Sequence, residues 1–430
     1  MEGPPTTLRL ETGPFTPASA ELLRRARRRA RRRRRLFVPA GLILALVLVY
    51  CGTTLLWPLN AVAPTVTALA IQPTAAAAAS PAWPSEGSAA VAVAGVGATA
   101  ASTSEAASMA SITKIVTALV VLDQLPMELG EDGTTFEFTT ADRTAYWAAL
   151  AAGESALDVP VDGSLTEYQM LQGMLIGSAC NYADRLASDI WGTDALYASA
   201  ATSWLTAHGI SGITIVEPSG IDSGNTATPA ALIALGELAM ADPVIAEIVG
   251  TTSVDLPGVG TVTNTNTLLA DTGVVGIKTG TLDTYDLLAA EDVTISDIPV
   301  RIYAAVLGQA DDDARNAAVR ALFAQTEAEL APITAVTAGT TVGEVDTRWS
   351  DPVPIVTTSD ADVVLWNGAT ATTSATFDLG DSREDGDLVG TLTVTGGANE
   401  VSVDAVLTVD ITDPSPWWRL THPLELFGLL

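Results

Sequence analysis

Ten arginines crowd residues 24–35, and a run of 22 mostly apolar residues, Leu36 to Trp57, follows directly. As a helix that run is about 33 Å long, enough to cross the hydrocarbon core of a bilayer. Arginines on its N-terminal side put that side in the cytoplasm and everything after Trp57 outside. A cleaved signal peptide is the alternative, with Ala61-Val62-Ala63 as a small-residue cleavage site. The apolar stretch exceeds an ordinary signal core and Pro64 follows the candidate cut, so an uncleaved anchor is favoured. The expected start is therefore a short, disordered cytoplasmic tail at 1–35 and a transmembrane anchor at 36–57.

Beyond the anchor the charge reverses. Residues 58–430 hold 47 acids against 10 bases, a net of −37. Such an exterior repels phosphates, so no nucleic-acid partner is expected. The arginine block reads instead as an orientation signal that also meets anionic lipid. Cys51 lies in the apolar run and Cys180 outside it, so they form no disulfide. Two histidines, His208 and His422, are too few for a metal centre of the His/Cys type. A Ser-His-Asp triad lacks a nucleophile-elbow signature.

Residues 58–87 are rich in Ala, Pro and Thr, which predicts an extended linker. Ala89–Val96 (AAVAVAGV) reads as a buried strand, and an apolar helix pattern begins near Ser111. Between Leu165 and Trp191 two helical segments flank a break at Gly177-Ser178-Ala179-Cys180. A helix over Pro229–Met240, strands at Gly276–Thr279 and Val300–Val306, and a helix over Asp312–Ala331 follow. Residues 88–332 thus predict an α/β or α+β domain. Residues 333–412, Thr- and Val-rich with alternation at Thr391–Thr395 and Ala405–Ile411, predict a small separate β-sandwich. The tail 413–430 carries Trp417, Trp418 and Phe427, and could lie in a membrane interface or pack on the β domain.

The sharpest chemical signal is a scarcity. The chain has 19 arginines and two lysines, Lys114 and Lys278. Arginine cannot lose its proton at any workable pH, whereas a buried lysine can. Both lysines sit in recognisable contexts: Ser111-Ile112-Thr113-Lys114 at a helix start, and Lys278-Thr279-Gly280 on a strand. The chance of both contexts arising by accident is on the order of one in a thousand. Residues i and i+3 share a helix face, so the Lys114 amine reaches the Ser111 hydroxyl. Burial and the charge of Lys278 both favour a neutral amine there, which would make Ser111 a nucleophile. The helix N-terminus favours negative charge developing at Ser111; its plain alternative role is a helix cap.

S-x-x-K followed by K-T-G resembles the signature of penicillin-binding proteins and serine β-lactamases. The chain looks most like the low-molecular-mass D-alanyl-D-alanine carboxypeptidases of the S11 peptidase family. The matching pieces run in order: Met109–Lys114, Met174–Ser178, Glu217–Gly220, Asn264–Leu269 and Gly276–Gly280. The resemblance implies a penicillin-binding-protein-like transpeptidase fold over roughly 88–330, with a small all-β C-terminal domain. It also implies that Ser111 is acylated by a peptidoglycan stem peptide or a β-lactam, and that Lys114 is the general base. Ser178 would pass a proton to the leaving amine. Lys278 and Thr279, with Gly280, would hold the terminal carboxylate. The N–H groups of Ser111 and Thr281 would form the oxyanion hole, with no metal or organic cofactor.

Two departures stand out. The family's middle motif is S-x-N, but here Cys180 takes the asparagine slot and Asn181 follows it. A thiol is a weak donor and acceptor, so losing that contact costs about 1–3 kcal/mol. Tyr285-Asp286 replaces the usual Ala-Gly after K-T-G and is expected to narrow or re-tune the cleft. These changes leave an alternative: an impaired relative that binds wall peptides or partners without cleaving them. A β-lactamase would need a deacylating group in a loop that has no counterpart here.

Overall fold

The computed structural model describes residues 17–429. Residues 1–16 of the expected cytoplasmic tail, and Leu430, lie outside the described residues.

In chain order the main elements are helix α1 (Pro17–Leu56), strand β1 (Thr65–Ala68), and the hairpin β2 (Ser88–Val93) and β3 (Val96–Ala101). Helices α2 (Thr113–Gln124), α3 (Glu167–Ile176), α4 (Cys180–Trp191) and α5 (Pro229–Ala241) follow. Next comes the meander β4 (Val274–Thr281), β5 (Tyr285–Ile295) and β6 (Ile298–Gln309), then helix α6 (Asp312–Glu329). The C-terminal strands are β7 (Pro332–Val336), β8 (Thr341–Asp346), β9 (Val353–Thr357), β10 (Ala361–Val364), β11 (Thr372–Phe377), β12 (Leu388–Thr395) and β13 (Glu400–Leu407). Two short helices, α7 (Pro416–Thr421) and α8 (Pro423–Leu426), end the chain.

The arginine block is helical rather than disordered from Pro17 onward: α1 is a single 40-residue helix that takes in the arginines and the apolar run. Ala, Leu and Arg are all strong helix formers, and the helix runs on through Pro39 in its interior. Its apolar stretch Arg35–Leu56 has a mean hydropathy of 2.3, and Thr54 is its one buried residue.

The central sheet is five-stranded and antiparallel, in the order β4-β5-β6-β2-β3. Every residue of β2 is buried. Ala90 and Ala92 face one core with Ile115, Leu175 and Leu288, while Ala89, Val91 and Val93 face another with Val306, Leu322 and Phe323. A strand covered on both faces reads as a continuous apolar run. That run is shorter than expected, because Gly95, at φ +69°, turns the chain between β2 and β3. Helices α2–α5 supply the first core and α6 closes the second.

Helix starts follow their capping chemistry. Thr166 and Gln169 form a reciprocal capping box at α3, Thr228 caps α5 ahead of Pro229, and Asp311 caps α6.

The stretch 58–87 is extended but not a free linker. Strand β1 pairs antiparallel with β8, Thr65 against Asp346 through Ala68 against Gly343. Farther along, Thr74 and Ala76 donate backbone bonds to Ala335 and Ala369, and Ala82 donates to Gln325. Edge pairing uses backbone groups alone, so it needs no apolar side-chain pattern. The C-terminal strands form a six-stranded sheet, β1-β8-β9-β13-β12-β11, with the pair β7-β10 beside it. This unit has its own core around Val342, Ile355, Leu392 and Leu407. It is not separate, however: Val364 and Trp366 pack into the core under α6, and Trp366 Nε1 donates to Glu329 at 3.0 Å.

Candidate active site

Ser111 lies in a 3₁₀ turn, Ala110–Ile112, that runs straight into α2. One turn later, the fully buried Lys114 places Nζ 2.9 Å from Ser111 Oγ. The same Nζ donates to the carbonyl of Ser219 at 2.5 Å and lies 3.4 Å from Cys180 Sγ. Helix α2 can carry a buried amine because it is enclosed on all sides: every residue from Thr113 to Leu122 is buried. Thr117 ties it to the opposite loop, donating to Pro218 O at 2.6 Å beside the Tyr197 hydroxyl at 2.7 Å.

The loop that receives Lys114 is built on a carboxylate that opens the matching Glu217–Gly220 piece and to which the sequence reading gave no role. Glu217 accepts from the Ser219 N–H and hydroxyl and from the Gly220 N–H, each at 2.6 Å, and from the Asn225 amide. A carboxylate with these donors fixes the turn and aims the Ser219 carbonyl at Lys114. Gly220, at φ +83°, lets the loop touch the nucleophile's own turn. A Cβ there would fall 2.0 Å from Ala110 O. Ala110 at φ +43° and Ser178 at φ +59° hold left-handed conformations on either side of the site. Such conformations cost roughly 1–3 kcal/mol each and persist where surrounding structure imposes them.

Ser178 occupies the break between α3 and α4 and Cys180 opens α4, both buried. Cys180, not Asn181, faces Lys114. The Asn181 side chain is turned away, accepting from Leu157 N at 3.1 Å and donating to Leu157 O at 2.8 Å. Neighbouring residues point in different directions, so the two cannot exchange roles without a loop shift.

Strand β4 brings the second lysine. Lys278 and Thr279 are buried, and Lys278 Nζ donates to Thr279 O at 3.2 Å. Burial holds the Lys278 amine well below the ordinary lysine value, and the charges of Lys114 and Arg315 push the same way. Thr279 Oγ1 is 2.7 Å from Thr265 Oγ1, which links the Asn264–Leu269 segment to this strand. Gly280 packs β4 against the nucleophile turn, where a Cβ would lie 2.9 Å from Met109 O.

Arg315, on α6, also escaped the sequence reading. It is 3% exposed, and Nη1 donates to Gly280 O at 3.3 Å and lies 3.5 Å from Thr281 Oγ1. Its guanidinium sits 5.8 Å from the Tyr285 ring centroid. The expected narrowing by Tyr285-Asp286 therefore takes a different form. Tyr285 stands over Arg315, whereas Asp286 is buried and accepts the Gly308 N–H at 2.8 Å. Burial pushes the Asp286 carboxyl up to about 7, against the backbone hydrogen bond and Arg315, which act to lower it.

The chain was then compared with known proteins. The family model described as D-alanyl-D-alanine carboxypeptidase matches residues 86–309. This chain belongs to the D-alanyl-D-alanine carboxypeptidase family. As a family member it is a serine-type D-Ala-D-Ala carboxypeptidase by class. A comparison with curated protein sequences found no match.

Among solved structures, the family fold is represented by penicillin-binding protein 5 from Haemophilus influenzae. It is 18% identical, with a TM-score of 0.54 over 78% of this chain and 100% of that one. The carboxypeptidase DacD from Francisella tularensis is 16% identical, with a TM-score of 0.52 over 81% of this chain and 97% of that one. A DD-transpeptidase from Streptomyces is 21% identical, with a TM-score of 0.51 over 58% of this chain and 100% of that one. Two further matches are alanine variants of that transpeptidase, one at a serine and one at a cysteine two positions later. These likenesses place the carboxypeptidase chain in the penicillin-binding-protein fold expected from its motifs.

Proposed function

We propose that this chain removes the terminal D-alanine from peptidoglycan stem peptides through an acyl-enzyme on Ser111, and that β-lactams acylate the same hydroxyl. The observation that carries the reading is the 2.9 Å contact between Lys114 Nζ and Ser111 Oγ inside a fully buried helix. The Lys114 amine accepts the Ser111 proton as Oγ attacks the carbonyl between the two D-alanines. The oxyanion is met by the N–H groups of Ser111 and Thr281. Collapse of the intermediate expels D-alanine, whose amine takes a proton relayed by Ser178. Water, deprotonated by the same lysine, then hydrolyses the ester.

The terminal carboxylate of the peptide is held at Lys278, Thr279 and Gly280. Arg315, which also pairs with Asp312, brings a fixed positive charge to the end of that strand. That charge stands in an exterior of net charge −37, which favours an anionic peptide end over other ligands. Cys180 stands where relatives carry asparagine. The serine-cysteine spacing replaced in the Streptomyces transpeptidase variants equals that of Ser178 and Cys180.

In this reading α1 anchors the protein. Its apolar 22 residues span the bilayer with the arginines inside and the catalytic domain outside. Val62, at the alternative cleavage site, is 4% exposed, which supports an uncut anchor.

A second reading, a binder of wall peptides without turnover, is favoured by Cys180 Sγ facing Lys114 where an amide would bind substrate. The test is release of D-alanine from a synthetic stem pentapeptide by the full chain in detergent. Steady release that Ser111→Ala abolishes is expected. Binding of the peptide without release would replace the hydrolase with the binder.

A further inference from the structure

Cys180 is the one cysteine beyond α1, and both it and Cys51 are free thiols. Thiols outside the cell ordinarily end in disulfides. At 4% exposure Cys180 is too enclosed to meet the thiol of another protein. Its reactive neighbour is an amine instead. Lys114 Nζ lies 3.4 Å from Cys180 Sγ, closer than the Ser178 carbonyl at 4.0 Å. The same Nζ is 2.9 Å from Ser111 Oγ, so one nitrogen faces both the nucleophile and the sulfur. The two residues belong to different helices: Lys114 is the second residue of α2 and Cys180 the first of α4. An asparagine in that slot, as in S-x-N, offers no atom to oxidise.

One small oxidant balances the chemistry. Hydrogen peroxide is little larger than water and enters by the route a peptide carbonyl takes to Ser111, which is half-buried. The thiol attacks the O–O bond. Sulfur gives up two electrons and keeps one oxygen as a sulfenic acid, and the other oxygen leaves as water. The unprotonated Lys114 amine then attacks that sulfur: an N–S bond forms, the S–O bond breaks, and the hydroxyl departs with an amine proton as water. Sulfenic acids condense with nitrogen in this way to give a sulfenamide. Sγ and Nζ must close by more than about 1 Å, since an N–S bond is shorter than the roughly 2.05 Å of a disulfide. The flexible four-carbon stem of lysine supplies that movement. Two thiols of a reductant reverse the bond, returning amine and thiol and leaving as a disulfide.

We infer that Cys180 and Lys114 form an oxidation switch: peroxide joins Sγ to Nζ as a sulfenamide and stops acylation of Ser111, and a thiol reductant reopens the site. Bonded to sulfur, the nitrogen is drawn away from Ser111 Oγ and no longer takes its proton. The bond also pins α2 to α4 across the break that carries Ser178. The amine protects the sulfur as well, because a sulfenic acid left alone goes on to the irreversible sulfinic acid. The loss of activity rests on the acyl-enzyme reading above, whereas the cross-link rests on the 3.4 Å geometry alone.

The test treats the full chain in detergent with hydrogen peroxide, removes the excess with catalase, and splits the sample. One half is digested without reductant and mapped by mass. The peptides containing Lys114 and Cys180 are expected as one species, about 2 Da lighter than their sum. The other half is labelled with a fluorescent penicillin before and after dithiothreitol. Labelling is expected to fall about tenfold or more and to return with the reductant. Cys180→Ala, compared with its own untreated sample, is expected to label equally with and without peroxide. Loss of labelling with no joined peptide, with Cys180 found as sulfinic acid, or equally in Cys180→Ala would overturn the switch. A joined peptide in a protein that never takes the label would keep the cross-link and sink the acyl-enzyme reading.

Discussion

Replacing Asp286 by asparagine isolates one buried ionisation. The carboxyl is 1% exposed and raised from 3.8 to about 7 by burial. Between these values the folded protein holds a proton that the unfolded chain has released. Stability therefore falls as pH rises through about 4 to 7. At 1.36 kcal/mol per pKa unit the contribution approaches about 4 kcal/mol above pH 7. Asparagine keeps an oxygen for the Gly308 N–H and cannot ionise. Relative to the parent, Asp286→Asn should change stability little at pH 4 and gain up to a few kcal/mol at pH 8. Paired thermal melts in the same detergent at pH 4, 6 and 8 measure the difference, and pH effects common to both proteins cancel. A variant less stable than its parent at pH 8 would refute the reasoning. It would mean that attraction to Arg315 outweighs burial and that the folded site needs the ionised carboxylate.

Further expectations concern the site itself. Cys180→Asn restores an amide where the thiol faces Lys114, and should raise kcat/KM on a D-Ala-D-Ala peptide about tenfold, by recovering a contact of order 1–3 kcal/mol. Glu217→Ala strips the acceptor from Ser219 and Gly220. It should lower stability by about 2–4 kcal/mol and slow penicillin acylation, read from melts and from labelling kinetics. Gly220→Ala places a methyl on Ala110 O; labelling of Ser111 should drop at least tenfold, and an unchanged rate would mean that the turn can open freely.

The lysines were legible because this chain otherwise uses arginine, so Lys114 and Lys278 declared themselves by type as well as by motif. The break at Ser178 was legible because the flanking helices α3 and α4 carry strong helical patterns that stop at Gly177 and restart at Cys180. Strand β5 was not, because Tyr285–Ile295 mixes three acids into an apolar run and shows no alternation. Strand β1 was hidden for a different reason: an edge strand bonded through its backbone needs no apolar face. Arg315 has no local signal at all, and Glu217 showed only as the first residue of a matching piece, with no role attached. Each matters only because the fold brings α6 to the end of β4, or the 217–225 loop to α2. Asp286 shows the reverse error. Charge in a sequence says nothing of direction, and this side chain turns behind the strand toward Gly308.

The central claim is that the Lys114 amine acts by taking a proton from Ser111, and labelled penicillin tests it most directly. Mass mapping of the full chain should find the penicilloyl group on the peptide containing Ser111. It should find none in Lys114→Arg, where positive charge is kept but the proton cannot be accepted. Labelling of Lys114→Arg at the parental rate, or a label elsewhere in the parent, would contradict it.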